Sequence, residues 1–170
     1  MLALQITSMK QFMSQLLTTD VFDIFLLEEA TIMAACTYHI EGLQHPEFYG
    51  EEAPEQRPTG TQDFVTWNSM RGLIFDLIKG KHTPLGLKLV LHLKPQYIIP
   101  ILSGGNTAVT PEQIKALVLT IRYDGEKTLL TTGTAFNTFI MDKEPDRLWD
   151  NALMKYLNQK GVACKSLGNS

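Results

Sequence analysis

The chain has 170 residues, of which 44% are hydrophobic and 19% are charged, and its formal net charge is −3. This length and composition predict a globular protein with a single domain and a core of its own. The negative balance argues against a chain that must hold nucleic acid through its bulk charge, but not against a local basic patch.

Cysteine content and hydropathy predict the compartment. Cys36 and Cys164 do not define a disulfide by themselves, and without a C-x-x-C unit a structural zinc site is not expected. Cys36 lies in an apolar run, which predicts a buried thiol. No apolar stretch approaches the ~20 residues that span a bilayer, and polar residues from Gln5 to Lys10 interrupt a signal sequence. We expect a cytoplasmic protein with no membrane partner and no cofactor.

The chain begins with a predicted strand and an amphipathic helix. Leu2 to Ile6 suits a strand, Ser8 is placed to cap the helix, and Gln11 would complete a capping box. Thr18 to Asp20 end the helix. Its apolar stripe has helical spacing: Met9, Phe12, Met13, Leu16 and Leu17.

The stretch 22–41 fits both helix and strand, and we favour two extended segments. Thr37 to Glu41 alternates like a strand that runs into a turn at Gly42. The adjacent residues Glu28 and Glu29 would then point to opposite faces and could not act as a pair.

Residues 42–62 are predicted to form a loop, because three prolines and three glycines interrupt them. The slightly longer stretch from 41 to 63 has six carboxylates against the single base Arg57, a balance of −5: Glu41, Glu47, Glu51, Glu52, Glu55 and Asp63. A loop this long is mobile or functional. It is either solvated or folded over a basic segment that it shields.

Residues 69–78 echo residues 8–17 at a distance of sixty-one positions. Ser69-Met70-Arg71 repeats Ser8-Met9-Lys10, and the apolar positions behind them align. Each copy follows a short apolar stretch. We therefore expect pseudo-repeats at 1–61 and 62–141, each containing a strand-helix-strand unit.

Thr66 or Asn68 caps the second helix, and Gly80 is placed to terminate it. Its predicted buried side has five members: Trp67, Met70, Ile74, Leu77 and Ile78. A strand from Leu85 to Lys94 comes next, in which every second residue from Leu87 to Leu93 is a leucine and predicts one buried face. His92, on the polar side of this strand, is expected to face water or the acidic loop.

A β-hairpin and a helix complete the prediction. Ala116 to Tyr123 leads through Asp124-Gly125 into a return strand from Lys127 to about Met141, where Gly133 marks a bulge or a close approach. A C-terminal helix spans 145–160, and 166–170 is a frayed tail beyond the domain 1–165. The apolar face of that helix has helical spacing: Leu148, Trp149, Ala152, Leu153, Tyr156 and Leu157. The fold class is α+β, a mainly antiparallel sheet with two strand-helix-strand repeats and a C-terminal helix.

A basic segment from Arg71 to Lys94 carries five bases against Asp76, a balance of +4. One interpretation is a solvated helix end and sheet face, since basic helix ends are common for stability reasons. The other is an anion site. Its candidate residues are Arg71, Lys79, Lys81, His82 and Lys88.

The sequence contains no catalytic signature. There is no G-x-S-x-G elbow, and Ser103 to Asn106 lacks the lysine of a P-loop. His39, Glu41 and His45 lie close enough in sequence to suggest a metal, but solvent-facing polar residues explain them better, so no metal is expected. The sequence therefore favours a binding module over an enzyme.

Three stretches together resemble an uncharacterised bacterial family, a domain of unknown function. They are Phe64-Val65-Thr66-Trp67, Leu77-Ile78-Lys79-Gly80-Lys81-His82-Thr83-Pro84-Leu85 and Thr131-Thr132-Gly133-Thr134. The resemblance covers nearly the whole chain. It implies a small cytoplasmic bacterial protein and supplies no activity.

The architecture is also similar to that of sliding DNA clamps, whose strand-helix-strand-strand-strand units repeat on the order of every 60 residues. In clamps, the polar faces of the equivalent helices look toward DNA. Here those faces would carry Lys10 in one copy, and Arg71 and Lys79 in the other. No clamp motif matches residue by residue, so the likeness concerns shape.

These observations favour a non-enzymatic binding or interaction module for an anionic partner, either nucleic acid or an acidic protein, and they leave homo-oligomers open. The alternative is a small enzyme that acts on a polar or phosphorylated substrate in a pocket near the acidic loop 42–62. A concave site with converging polar groups is what that alternative requires.

Overall fold

A computed structural model describes residues 1–57 and 63–169, which contain eight strands and four α-helices. The elements in chain order are β1 (Leu2–Ile6), α1 (Met9–Thr18), β2 (Phe25–Met33), β3 (Thr37–Glu41), β4 (Val65–Thr66), α2 (Trp67–Ile78), β5 (Gly86–Leu93), α3 (Ile98–Ser103), β6 (Ile114–Tyr123), β7 (Thr128–Phe136), α4 (Glu144–Gln159) and β8 (Cys164–Asn169). Short 3-10 turns occur at Pro46–Tyr49, Pro54–Gln56, Pro95–Tyr97 and Pro111–Gln113.

All eight strands join one antiparallel sheet in the order β3-β2-β5-β6-β7-β1-β8, and β4 pairs with β2. The predicted α+β class with a mainly antiparallel sheet is therefore confirmed. Short links close two hairpins: residues 34–36 join β2 to β3, and the predicted Asp124-Gly125 turn lies between β6 and β7.

The core lies between one face of the sheet and the helices. Leu87, Leu89, Leu91 and Leu93 are all buried, as the alternation predicts, and the opposite face of β5 carries Lys88, Val90 and His92. A chain of rings joins the layers. Phe12 of α1 contacts Phe22, which stacks on Phe25 of β2, which in turn meets Trp149 of α4.

Residues 22–41 are largely extended, as favoured, but a β-bulge interrupts β2. Leu27 pairs with Leu91 and Glu29 with Val90, so Glu28 is an extra residue without an opposite partner. The bulge reverses the alternation, because Leu27 and Ala30 are both buried. Glu28 and Glu29 therefore share the outer face, and the expectation that they point to opposite faces is wrong.

Gly42 directly follows β3 and lies against the backbone of this bulge. Its N–H donates to the Glu28 carbonyl at 2.7 Å, and its own carbonyl accepts from Val65. A Cβ at this position would lie 1.7 Å from the Leu27 carbonyl oxygen. Glycine is required here because a side chain has no space. The backbone conformation does not require it, since the φ of Gly42 is not in the left-handed region.

The helix predictions hold in outline. Thr66 caps α2 by accepting the Ser69 N–H, whereas Ser8 makes no side-chain cap bond, so the capping box with Gln11 is absent. Gly161 lies just beyond α4 with φ +70°, as a helix-ending glycine does. The apolar face of α4 is buried or half-buried as predicted.

Four other expectations are corrected. β7 ends at Phe136 rather than near Met141, and Gly133 pairs regularly with Val118 with no heavy atom close to it, so it marks neither bulge nor close approach. Residues 166–169 of the predicted tail are part of β8, which pairs with β1, and residue 170 lies outside the described residues. Cys36 is exposed in the β2–β3 turn, because the apolar run that contains it ends in a hairpin.

The echo lies in elements of the same order. β1-α1-β2 begins at residue 2 and β4-α2-β5 at residue 65, and β2 and β5 start sixty-one positions apart at Phe25 and Gly86. The two units diverge after these strands, because β3 in the first unit corresponds in position to α3 in the second. The predicted boundary between residues 61 and 62, and the end of the loop at 58–62, lie outside the described residues.

Candidate binding groove

A groove of about 880 Å³ lies between α1, the C-terminal half of α2 and the segment 80–84. Its floor is apolar and contains two methionines, whose flexible side chains adapt to different ligand shapes. The floor residues are Met9, Met13, Leu17, Phe75, Ile78, Pro84 and Tyr123.

Three side chains that are cationic or can become so line the same groove: Lys10, Lys79 and His82. No carboxylate of the described residues lines it. Lys79 Nζ lies 3.0 Å from Asp76 Oδ1, but both side chains are more than half exposed, so solvent screens the pair and it stabilises little. Lys81 is exposed beside the groove and forms no ion pair with a described residue.

Packing of α1 against α2 builds the groove. The Trp67 indole N–H donates to the Leu16 carbonyl at 3.0 Å, and Trp67 is fully buried, which fixes the start of α2 beside the end of α1. The Thr128 hydroxyl contacts the Met9 sulfur at 2.7 Å and holds the start of α1 against β7. Pro84 is buried and closes the groove where β5 begins.

Arg71 lies outside this groove and is held by an ion pair. Its guanidinium donates to both carboxylate oxygens of Asp23, Nε to Oδ1 at 3.0 Å and Nη2 to Oδ2 at 3.2 Å, and also to Asn68. The hydrogen bond to Asp23 raises the pKa of Arg71, and both side chains are about three-quarters buried. Arg71 therefore ties α2 to the segment before β2.

Lys88 also lies elsewhere, on the outer face of the sheet, where its Nζ is 3.1 Å from Glu29 Oε1. Of the five predicted anion-site residues, the structure brings Lys79 and His82 into one groove, leaves Lys81 next to it, and places Arg71 and Lys88 in ion pairs away from it. Lys10 also lines the groove, but the predicted anion site omitted it because it lies outside the basic segment from Arg71 to Lys94. The echo contained its signal, since Lys10 corresponds to Arg71 in the repeat.

On the outer face, His92 Nε2 lies 3.0 Å from Glu28 Oε2, and the Phe64 ring packs edge-on against the imidazole with centroids 4.9 Å apart. The expectation that His92 faces water or the acidic loop is corrected, because its side chain is only 13% exposed. Phe64, which comes after that loop, covers it. His39 contacts Thr31 at 3.1 Å, and no group of three His, Cys, Asp or Glu among residues 1–57 and 63–169 is placed to hold a metal.

Residues 45–56 of the acidic loop, which we name the protrusion, have four exposed carboxylates and the exposed ring of Phe48. Phe48 is 82% exposed and meets Tyr49 edge-to-face at 5.3 Å. Arg57 lies over the Tyr49 ring at 5.3 Å, and Gly50 donates to the Glu47 carbonyl. No hydrogen bond or ion pair between described residues joins 45–57 to the groove.

Two further grooves are smaller. One of about 590 Å³ adjoins the first through Thr83, Pro84 and Tyr123 and carries Asp124 and Glu126, so that end of the continuous surface is acidic. The other, of about 390 Å³, lies between α3 and α4 around Tyr97 and Lys155. Glu28 and His92 line none of the three grooves.

The fold and the groove define an α+β protein with one antiparallel sheet and a surface groove that has an apolar floor and a basic rim. The chain belongs to a family of unknown function, DUF5721, whose model matches residues 15–165. This match confirms the predicted resemblance to a family of unknown function. No curated protein and no solved structure matches the chain significantly. No helix within the described residues is long and apolar enough to cross a bilayer.

Proposed function

We propose that this protein is a non-enzymatic interaction module whose groove binds an acidic, partly apolar segment of a protein. The observation that carries the proposal is the combination of an apolar, methionine-containing floor with Lys10, Lys79 and His82 on the rim. Apolar floors with complementary charges at the edge are the usual means by which grooves take amphipathic segments. Lys81 extends the positive edge.

The chemistry of the groove favours a protein segment over nucleic acid. A duplex offers phosphates but no apolar surface of the kind that Met13, Leu17 and Ile78 would cover. Arg71 and Lys88, the other predicted phosphate contacts, are already paired with Asp23 and Glu29. The clamp-like hypothesis stays a prediction, and binding of DNA would be its support.

The alternative of an enzyme near residues 42–62 has weaker support. The single observation in its favour is the carboxylate–imidazole pair of Glu28 and His92 beside Phe64. The imidazole already contacts the Glu28 carboxylate and packs against the Phe64 ring. Neither Glu28 nor His92 lines any of the three grooves. A cross-strand pair that stabilises the bulge explains both contacts.

A fluorescence anisotropy titration tests the proposal. The probes are a labelled acidic peptide that contains Phe and Leu, and labelled single- and double-stranded DNA oligonucleotides, each at low and at physiological salt. We expect the peptide to bind and the double variant Lys10→Glu/Lys79→Glu to weaken it by about tenfold, or ~1.4 kcal/mol.

The matched control reverses two exposed lysines outside the groove, Lys115→Glu/Lys143→Glu, which changes the net charge equally. It should bind the peptide like the wild type. Equal losses in both double variants would show attraction by net charge alone and contradict a specific groove. Binding of DNA with a steep salt dependence and no binding of the peptide would replace the protein partner with nucleic acid.

A further inference from the structure

We infer that the occupant of the groove is the acidic protrusion, residues 45–56, of a second copy of this chain. The inference rests on the proposed function of the groove and names its partner. The protrusion has the chemistry that the groove selects, because Phe48 projects into solvent from a segment with four carboxylates and no lysine or arginine.

The two surfaces are complementary in charge and in polarity. Glu47, Glu51 and Glu52 are close in sequence to the exposed ring of Phe48, and Lys10, Lys79 and His82 line the groove beside its apolar floor. An aromatic anchor that enters an apolar pocket, surrounded by charged contacts at the edge, is the common anatomy of a protein interface.

The protrusion is ordered before it binds, which favours docking. Gly50 donates to Glu47, Glu52 donates to Tyr49, and Arg57 covers the Tyr49 ring, so the segment holds its own shape. A preformed protrusion loses less conformational entropy on binding than a flexible peptide.

Geometry favours a second copy over the same chain. The loop returns to the sheet through Phe64 and leads into the first residue of α2, Trp67, whereas the α2 residues that line the groove, Phe75 and Ile78, lie in its last turn, and none of residues 45–56 lines the groove. The 12 residues of α2 separate the two ends by about 18 Å. Because protrusion and groove are different surfaces, the contact is head-to-tail and propagates into chains unless a ring closes.

Sedimentation velocity of the full chain at rising protein concentration tests the inference. We expect the average mass of the wild type to rise with concentration and to fall with added salt. Phe48→Ser removes the anchor, and Lys10→Glu/Lys79→Glu disables the groove, so each variant alone should sediment as a monomer. An equimolar mixture should form a dimer and nothing larger, because it contains one intact groove and one intact protrusion per pair.

Phe139→Ser is the matched control for the anchor, since Phe139 is 88% exposed and lies outside the protrusion. It should self-associate like the wild type. A wild type that stays monomeric, or two folded variants that fail to associate when mixed, would overturn the inference. If the acidic peptide still binds that monomeric wild type, the groove keeps its proposed function and only its occupant is wrong.

Discussion

His92 Nε2 lies 3.0 Å from Glu28 Oε2 because one extra residue in β2 turns Glu28 to the outer face of the sheet. The same bulge leaves Glu29 on that face, 3.1 Å from Lys88. Two adjacent carboxylates thus contact two basic side chains that lie on either side of Val90 in β5. The bulge organises this face, and Phe64 covers one end of it.

A double-mutant cycle measures the Glu28–His92 pair. Glu28→Ala, His92→Ala and the double variant should give a coupling of about 1 kcal/mol in urea unfolding, because a largely buried imidazole holds the carboxylate. The Glu29–Lys88 pair is the comparison. Neither Lys88 (40% exposed) nor Glu29 (33% exposed) is as buried as His92 (13% exposed), so this coupling should be smaller, about 0.3 kcal/mol. Equal couplings would contradict a special role for the bulge residue.

Gly42→Ala should destabilise the protein severely, by about 3 kcal/mol or more, since the new methyl would lie 1.7 Å from the Leu27 carbonyl oxygen. Both the backbone contact of residue 42 with the bulge in β2 and its hydrogen bond from the Val65 N–H would have to shift. Gly133→Ala is the control, because nothing lies within 4 Å of a Cβ there. It should be neutral or slightly stabilising. If both variants had the same midpoint in urea denaturation, the backbone contact at Gly42 would not be tight.

Arg71 and Lys79 should separate stability from binding. Arg71→Gln leaves Asp23 without its two hydrogen bonds and should lower the free energy of unfolding by about 1–2 kcal/mol without changing the affinity for the acidic peptide. Lys79→Gln should do the reverse, because its exposed contact with Asp76 adds little stability. Urea unfolding and peptide anisotropy on the same samples decide. Weaker peptide binding by Arg71→Gln would place Arg71 in the site.

The two thiols should react at different rates. Cys36 is exposed in a turn, whereas Cys164 is partly covered and burial raises the pKa of its thiol, so less thiolate is present at neutral pH. DTNB should therefore label one thiol fast in the native protein and both thiols in urea. Cys36→Ser should abolish the fast phase. A fast phase that survives this substitution would mean that Cys36 is buried, as its apolar neighbours predict.

Asp142 should contribute to the acid sensitivity of the fold. Hydrogen bonds from the Thr107 hydroxyl, and then from the Glu144 N–H, hold the pKa of its carboxyl below its ordinary value. The folded pKa thus lies below the unfolded value of about 3.9, so this stabilisation is present at neutral pH and is lost as the pH falls through the folded pKa.

The pH series of unfolding free energies should accordingly be shallower in acid for Asp142→Asn than for the wild type. Thr107→Ala removes the larger cause of the shift and should flatten the same part of the curve. An unchanged acid slope in both variants would contradict the assignment.

Local patterns in the sequence were sufficient for much of the fold. The leucines from Leu87 to Leu93 defined the buried face of β5, because alternation depends on the backbone alone. The stripe on α4 and the Asp124-Gly125 turn were predicted for the same reason, since a helical period and a tight turn involve residues close in sequence. The preference for strands in 22–41 also held.

The tertiary structure decided the rest. The bulge at Glu28, the need for Gly42 and the pairing of β8 with β1 depend on neighbours far away in the chain, and so does the exposure of Cys36. The groove is the clearest case, because Lys10 and His82 meet only when α1 packs on α2. The sequence by itself determined most of the helices and strands and where the charges lie. Only the packing of distant residues determined which of those charges lie in ion pairs away from the groove, as Arg71 and Lys88 do, and which line it.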